Sequence, residues 1–255
     1  MVPTAPLYCR NSEPDTANMP PTTPDANVKT ALRVLEIIET FAREQKPLSL
    51  TQIARDLSAP VSSCQALLKT LINLGYVYET GGWHAYYPTG RLLAMAERIS
   101  RCDPVLENIL PNLRDLHRSI NETILFSKLS LNKRVILLHS LESTYPVRYS
   151  EQPGAQSEPH ASPTGHALLS TLDPSERRRL LTEHPLVRYT RNTMTDPAEI
   201  EVTIQSALVR GWFSDTNRAS PGEVGAISWP MRLTDSQYAL TVAGPLARIA
   251  THETN

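Results

Sequence analysis

Residues 48–77 read LSLTQIARDLSAPVSSCQALLKTLINLGYV, and the local chemistry of this run decides the fold. Ser49 with Gln52 three positions on is the pattern of a capping box, in which each side chain satisfies a main-chain N–H of the other. The box opens a short helix over 52–57, and Ser58-Ala59-Pro60 breaks the chain. A longer helix over 61–74 follows. Its apolar positions, Cys64, Leu67, Leu68, Leu71 and Ile72, recur at helical spacing. Gly75 supplies the left-handed residue that ends it.

Outward from this run, residues 28–43 form a further amphipathic helix. Ala31, Val34, Leu35, Ile38, Phe41 and Ala42 share one face, and Lys29, Arg33, Glu36, Glu39 and Arg43 fill the other. Pro47 stops it. On the other side, the β-prone runs 76–78 and 83–87 flank Gly81-Gly82 and make a hairpin. Helix, helix, turn, helix, hairpin is the order of a winged helix-turn-helix. Residues 91–102 read as a connecting helix. Residues 1–26 hold six prolines and few large apolar groups, so burial there cannot offset ordering entropy. They read as a disordered tail or as an arm that docks on a partner.

From Asp103 the pattern changes. A helix over 104–119 leads into strands at 123–127 and 135–138, then a Pro/Gly/Ser loop over 153–163. A helix over 164–171 follows, and Asp173 caps another with Pro174 in its first position. A helix over 197–210 ends at Gly211, and strands at 224–231 and 238–243 close the chain. The fold class is α+β: a disordered tail at 1–26, a winged helix-turn-helix at 27–90, a linker helix at 91–103 and a mixed α/β effector-binding domain at 104–250.

The chain has 255 residues, 40% of them apolar and 20% charged, with a formal net charge of −1, so a core is affordable and general polyanion binding is not expected. Locally, residues 28–98 carry eight basic and six acidic side chains, a small basic excess. No run of roughly 18 apolar residues spans a membrane, and the Pro/Thr-rich start does not read as a secretory signal. Cys9, Cys64 and Cys102 lie far apart, which fits a reducing, cytoplasmic setting. His160, His166 and Asp215 with Ser162 suggest a hydrolase at most. No GxSxG elbow, HExxH, Walker or GxGxxG motif accompanies them, so no catalytic residue, metal or cofactor is expected.

Two groups of residues carry binding chemistry. Ser62, Ser63 and Gln65 open the helix that would enter a major groove, where Gln can pair with adenine, and Lys69 one turn on suits a phosphate. His84 and Tyr86 on the wing reach toward the DNA backbone or minor groove. The plainer readings are that Ser62 caps its helix, Lys69 is a solvated charge and Tyr86 packs the hairpin. In the second half, Ser162-Pro163-Thr164-Gly165 offers main-chain N–H groups and a hydroxyl at a helix N-terminus, which suits an anion. There Ser162 or Thr164 reads equally as a cap.

The 48–77 run, the hairpin and PTGRLLAMA (88–96) together resemble the N-terminal domain of the IclR family of bacterial transcriptional regulators. HASPTGHALL (160–169), RGWFSDTNRASPGEVGAISWPM (210–231) and LTVAGPLARI (240–249) resemble its C-terminal domain. The resemblance covers residues 28–250. It implies a GAF-like effector domain that holds a small organic molecule, often a carboxylate or an aromatic acid. The pocket it implies is built from Tyr149, Pro163, Thr164, Asp215, Gly225 and Thr241, with Ser162 and Gly165 beside them. It also implies binding to double-stranded operator DNA. One short recognition helix gives little affinity alone, so a homodimer or homotetramer is expected. Val61 and Ala66 stand where the family often carries basic residues, His166 where Lys is usual, and Asn217-Arg218 where acidic residues are common. The family's final helix is expected to be absent or shortened after residue 249. The competing functions are a ligand- or partner-binding module without DNA binding, and a hydrolase.

Overall fold

The capping box at Ser49 forms as its chemistry requires. The Ser49 N–H donates to Gln52 Oε1 at 2.8 Å, and the Gln52 N–H donates to Ser49 Oγ at 3.3 Å. This holds in a computed structural model that describes residues 28–81, 84–100, 102–216, 224–233 and 236–252. The expectations for the tail at 1–26, for residues 82 and 83 of the hairpin and for Asn217 and Arg218 lie outside the described residues. The chain divides into two units, residues 1–101 and 102–255.

The first unit runs α1 (Lys29–Glu44), β1 (Leu48–Ser49), α2 (Leu50–Asp56), α3 (Val61–Asn73), β2 (Val77–Thr80), β3 (Ala85–Pro88) and α4 (Arg91–Ser100). Its apolar face is a single cluster: Ile37 and Phe41 of α1, Leu48 of β1, Ile53 and Ala54 of α2, Cys64, Leu68 and Leu71 of α3, and Val77 of β2. β1 is a two-residue strand that propensity does not announce. It joins the hairpin by pairing Leu48 with Tyr86 and Ser49 with Ala85, giving a sheet in the order β1-β3-β2. Gly75, with φ +74°, turns the chain out of α3, and its carbonyl accepts from the Thr89 hydroxyl at 2.7 Å.

The second unit runs α5 (Pro104–Ile120), β4 (Thr123–Leu129), β5 (Val135–Leu141), β6 (Gln156–Ser157), a 3₁₀ turn (Pro159–Ala161), α6 (Pro163–Ser170), α7 (Pro174–Glu183), α8 (Pro197–Arg210), β7 (Phe213–Thr216), β8 (Val224–Leu233), β9 (Ser236–Pro245) and α9 (Leu246–His252). Asp103, Ser162, Asp173 and Asp196 each cap the helix they precede, with proline in the first turn every time. The strands form one antiparallel sheet, β6-β5-β4-β9-β8-β7. Its two faces are buried differently. Ile124, Phe126, Ile227, Tyr238 and Val242 pack on α5 and on Ile249 of α9. Val135, Phe213 and Ala239 pack on Leu168, Leu180 and Ile204 of α6, α7 and α8. The short α9 does form, over Leu246–His252, and Arg248 on it holds the buried Glu122 with hydrogen bonds of 2.5 and 2.9 Å.

Between α7 and α8 sits the buried guanidinium of Arg177. It donates to both oxygens of Glu201, at 2.8 and 2.6 Å, and to the carbonyls of Leu169 and Leu172. Because every charge-bearing nitrogen has an acceptor, the group is tolerated inside the apolar cluster. The pair drags the Glu201 carboxyl down to about 2, first through the hydrogen bonds from Arg177.

Candidate DNA-binding face and candidate effector site

The helix period of α3 separates its residues into two edges. Cys64, Leu68 and Leu71 are buried, while Ser62, Gln65, Ala66 and Lys69, spaced i, i+3, i+4 and i+7, are exposed. Ser62 does not cap the helix: Pro60 occupies the N-cap and no side chain caps there. The Ser62 hydroxyl, the Gln65 amide and the Lys69 ammonium therefore share one solvent-facing stripe, and Lys69 makes no ion pair among the described residues. Ser63 is half-buried at the margin of that stripe.

Tyr86 lies opposite buried Leu48 in the register and packs, half-buried, against the domain core, so most of its ring serves packing, as its plainer reading has it. Tyr78, 48% exposed, is the aromatic that the wing presents instead. Strand alternation marks it, since Val77 is buried and the next side chain must point outward. His84 stands at the tip with φ +45°, exposed, its Nδ1 3.0 Å from Glu79 Oε1.

In the second unit, one face of the sheet is lined by short side chains where α6 begins. Ser228 pairs with Thr241, and Thr241 with Leu125, in one row across β8, β9 and β4. Ala226 pairs with Ala243 in the next row. Thr164 of α6 descends onto this face. Its Oγ1 lies 2.8 Å from Thr241 Oγ1, which is 2.7 Å from Ser228 Oγ, and all three residues are buried. A long third contact of 3.5 Å between Thr164 Oγ1 and Ser228 Oγ closes the triangle, and the proton that this edge holds weakly is the one the trio can turn outward to a ligand. Tyr149 covers the neighbouring apolar floor of Leu125, Leu137, Ala226 and Ala243. It donates from Oη to Glu151 Oε2 at 2.8 Å. Burial pushes the Glu151 carboxyl above the usual carboxylate range, against the pull of the tyrosine hydroxyl. Burial, with the Glu151 charge beside it, likewise raises the Tyr149 phenol.

Of the residues expected here, Tyr149, Thr164 and Thr241 are brought together, and Pro163 is buried at the start of α6. Ser162 is a cap, accepting from the Gly165 N–H at 3.2 Å. That narrows the expected N–H cradle: Pro163 has no N–H and that of Gly165 is taken, which leaves the Thr164 N–H, without an acceptor among the described residues, beside the hydroxyls. Gly165 serves close approach, since a Cβ there would lie 2.1 Å from the Pro159 carbonyl oxygen. Gly225 is a correction. A Cβ on it would meet Ile249 of α9 at 2.9 Å, which puts it on the opposite face of the sheet from the hydroxyls. Asp215 lies on β7 with Ala226 as its register partner. Ser228 was missed because its neighbours in space are 64 and 13 residues away in sequence.

His160 Nε2 lies 2.9 Å from the Val187 carbonyl and His166 Nε2 lies 2.8 Å from that of His160. Among the described residues no group of His, Cys, Asp and Glu has the arrangement of a metal site, and no helix is long and apolar enough to cross a membrane.

Residues 98–255 match the family model for the bacterial transcriptional regulator IclR C-terminal domain, and residues 30–81 match the IclR helix-turn-helix domain. Among curated proteins, the chain is 28% identical to the HTH-type transcriptional regulator BhcR of Paracoccus denitrificans, over 86% of this chain and 78% of that one. It is 24% identical to the transcriptional repressor IclR of Escherichia coli, over 94% and 87%. Among solved structures, the fold is similar to an IclR homologue of Microbacterium hydrocarbonoxydans complexed with 4-hydroxybenzoate, at TM-score 0.70 and 22% identity, covering 85% and 89% of the two chains. It is similar too to the IclR of Thermotoga maritima, at TM-score 0.72 and 16% identity, covering 88% and 93%.

Proposed function

The chain belongs to the IclR family of bacterial DNA-binding transcriptional regulators, and from that premise we propose that it binds operator DNA as a homodimer or dimer of dimers under the control of a small aromatic acid. The observation that carries the DNA half is the split of α3 into a buried edge and an exposed polar edge of Ser62, Gln65 and Lys69. A helix with that edge fits a major groove, where Gln65 reads a base and Lys69 meets a phosphate. His84 at the wing tip adds a backbone contact, and Tyr78 takes the place of Tyr86.

Dimerisation is supported by apolar surface that the first unit leaves uncovered. Val28, Leu32 and Leu35 line one face of α1, and α4 buries none of its residues while exposing Leu93 and Ile99. A second copy is the occupant that would also supply the second recognition helix. The effector half rests on the hydroxyl trio Thr164–Thr241–Ser228 beside the Tyr149 wall. The trio donates to a carboxylate and the wall covers a ring. The 4-hydroxybenzoate in the Microbacterium homologue supports that ligand class. Ligand binding would act by favouring one arrangement of the two DNA-binding units over another. We assign no catalysis: Ser162 Oγ is occupied in capping α6, and His160 Nε2 meets a main-chain carbonyl rather than that serine. A DNA-binding regulator of this kind works in the cytoplasm.

The test is a gel-shift titration on DNA upstream of the protein's own gene, in rising salt, with and without 4-hydroxybenzoate. We expect dimer-dependent binding that weakens steeply with salt and shifts with the ligand. No protected DNA at any salt refutes the DNA half, and salt-dependent binding that ignores aromatic acids refutes the effector half.

A further inference from the structure

The hydroxyl trio accounts for one end of the effector site. The row that contains it runs further, and its other end is polar as well. In register, Ser140 of β5 pairs with Leu125 of β4, Leu125 with Thr241 of β9, and Thr241 with Ser228 of β8. Cross-strand partners share a face, so Ser140 faces the same side as Thr241 and Ser228. The β-bulge between Phe126 and Ser127 lies beyond the Ser140 position and does not alter this. Ser140 Oγ is buried and has no hydrogen-bond partner among the described residues. The other such atom, His139 Nε2, belongs to the next residue along the strand and so to the opposite face.

Beside Ser140, Tyr149 lies on Leu125, Leu137 and Ala243 and donates its one hydroxyl proton to Glu151. That is the single hydrogen bond Glu151 makes among the described residues. A carboxylate offers about four lone-pair sites, so Glu151 keeps most of its accepting capacity for a donor from outside. A buried hydroxyl without a partner is costly unless something completes it, and the half-buried Glu151 carboxylate has acceptor sites to spare for the same visitor.

We propose that Ser140, Tyr149 and Glu151 form a second pole of the effector site, which accepts a hydroxyl group at the end of the ligand opposite its carboxylate, so that the protein selects para-hydroxylated aromatic acids over their unhydroxylated analogues. The two poles stand two strand spacings apart, roughly 10 Å between backbones. One benzene ring with a substituent at each end bridges that span once ordinary hydrogen bonds are made at both ends. Leu125, Ala226, Ala243 and the Tyr149 ring packed with them form the apolar lining beside the ligand ring. The ligand hydroxyl donates to Glu151, and the Ser140 hydroxyl donates to the ligand oxygen, which gives Ser140 its missing partner and Glu151 a second donor. Tyr149 holds Glu151 in place and so is a positioning residue. This inference rests on the effector site proposed above and adds the residues that set its preference.

The experiment is isothermal titration of the full-length protein with 4-hydroxybenzoate and with benzoate, which differ by that one hydroxyl. Wild type should bind 4-hydroxybenzoate about 10- to 100-fold more tightly, the range expected when an analogue leaves buried polar groups unpaired. In Glu151→Ala the preference for 4-hydroxybenzoate over benzoate should fall to within about threefold. Ser140→Ala, the milder change, should lower the preference partway. Tyr149→Phe, which removes the hydroxyl that holds Glu151, should lower the preference partway as well. Equal affinity of wild type for the two acids, or a full preference retained in Glu151→Ala and Ser140→Ala, overturns the second pole and leaves the effector site standing. Failure of wild type to bind either acid overturns both.

Discussion

Replacing Glu201 by Gln should make the second unit less stable at neutral pH and erase most of the difference in acid. The Arg177 side chain is 2% exposed and that of Glu201 31%, so the buried guanidinium meets a carboxylate that reaches solvent. In the folded protein the Glu201 carboxyl titrates at about 2, against an ordinary value of 4.5. At about 1.4 kcal/mol per pH unit this corresponds to about 3 kcal/mol before solvent screening, and to roughly 1–2 kcal/mol after it. Because the folded value is depressed, the contribution is fully present above pH 4.5 and is lost as pH falls towards 2. Glutamine keeps the shape and one acceptor, so Arg177 still has the Leu169 and Leu172 carbonyls. Thermal melts followed by circular dichroism at pH 7 should show Tm lowered by roughly 2–8 °C. In a series of increasingly acidic buffers the gap between variant and wild type should close. A variant as stable as wild type at pH 7, or a gap that does not shrink in acid, refutes the reasoning.

Three further outcomes follow from the packing. Leu68→Ala removes a fully buried side chain between α1, α2 and α3 and should cost about 2–5 kcal/mol, read in urea melts of the first unit's transition. Gly165→Ala drives a methyl into the Pro159 carbonyl and should destabilise by about 1–3 kcal/mol in chemical denaturation, whereas Gly154→Ala, with open space around it but φ +91°, should cost only about 1 kcal/mol. Lys69→Ala should leave the thermal melt unchanged and lower the salt slope of DNA binding by about one unit for each phosphate contact it makes.

Local chemistry made most of the first unit legible. A capping box, a Pro break, a Gly terminator and apolar spacing act over three or four residues, so α2, α3 and the hairpin follow from the text of residues 48–88. β1 escaped because two residues carry no periodicity, and only its pairing with Tyr86 and Ala85 makes it a strand. The same pairing turned Tyr86 inward. In the second unit the capped helices were readable, but β6 and β7 were not, being short and edge-placed. The effector site was half legible. Tyr149, Thr164 and Thr241 came from resemblance, while Ser228 and Ser140 join them only through strand register across β8, β9, β4 and β5. Gly225 was misplaced for the complementary reason, since a strand glycine does not declare which face its missing side chain serves.

The exposed edge of α3 is the element assigned to reading DNA, and fluorescence anisotropy of labelled operator DNA with the double variant Gln65→Ala/Lys69→Ala tests it directly. The variant should fold as wild type does, because both side chains lie outside the core. It should lose operator affinity by at least about tenfold, with discrimination between operator and unrelated DNA reduced. Wild-type operator affinity and wild-type discrimination in that variant would contradict the assignment of α3 as the element that reads DNA.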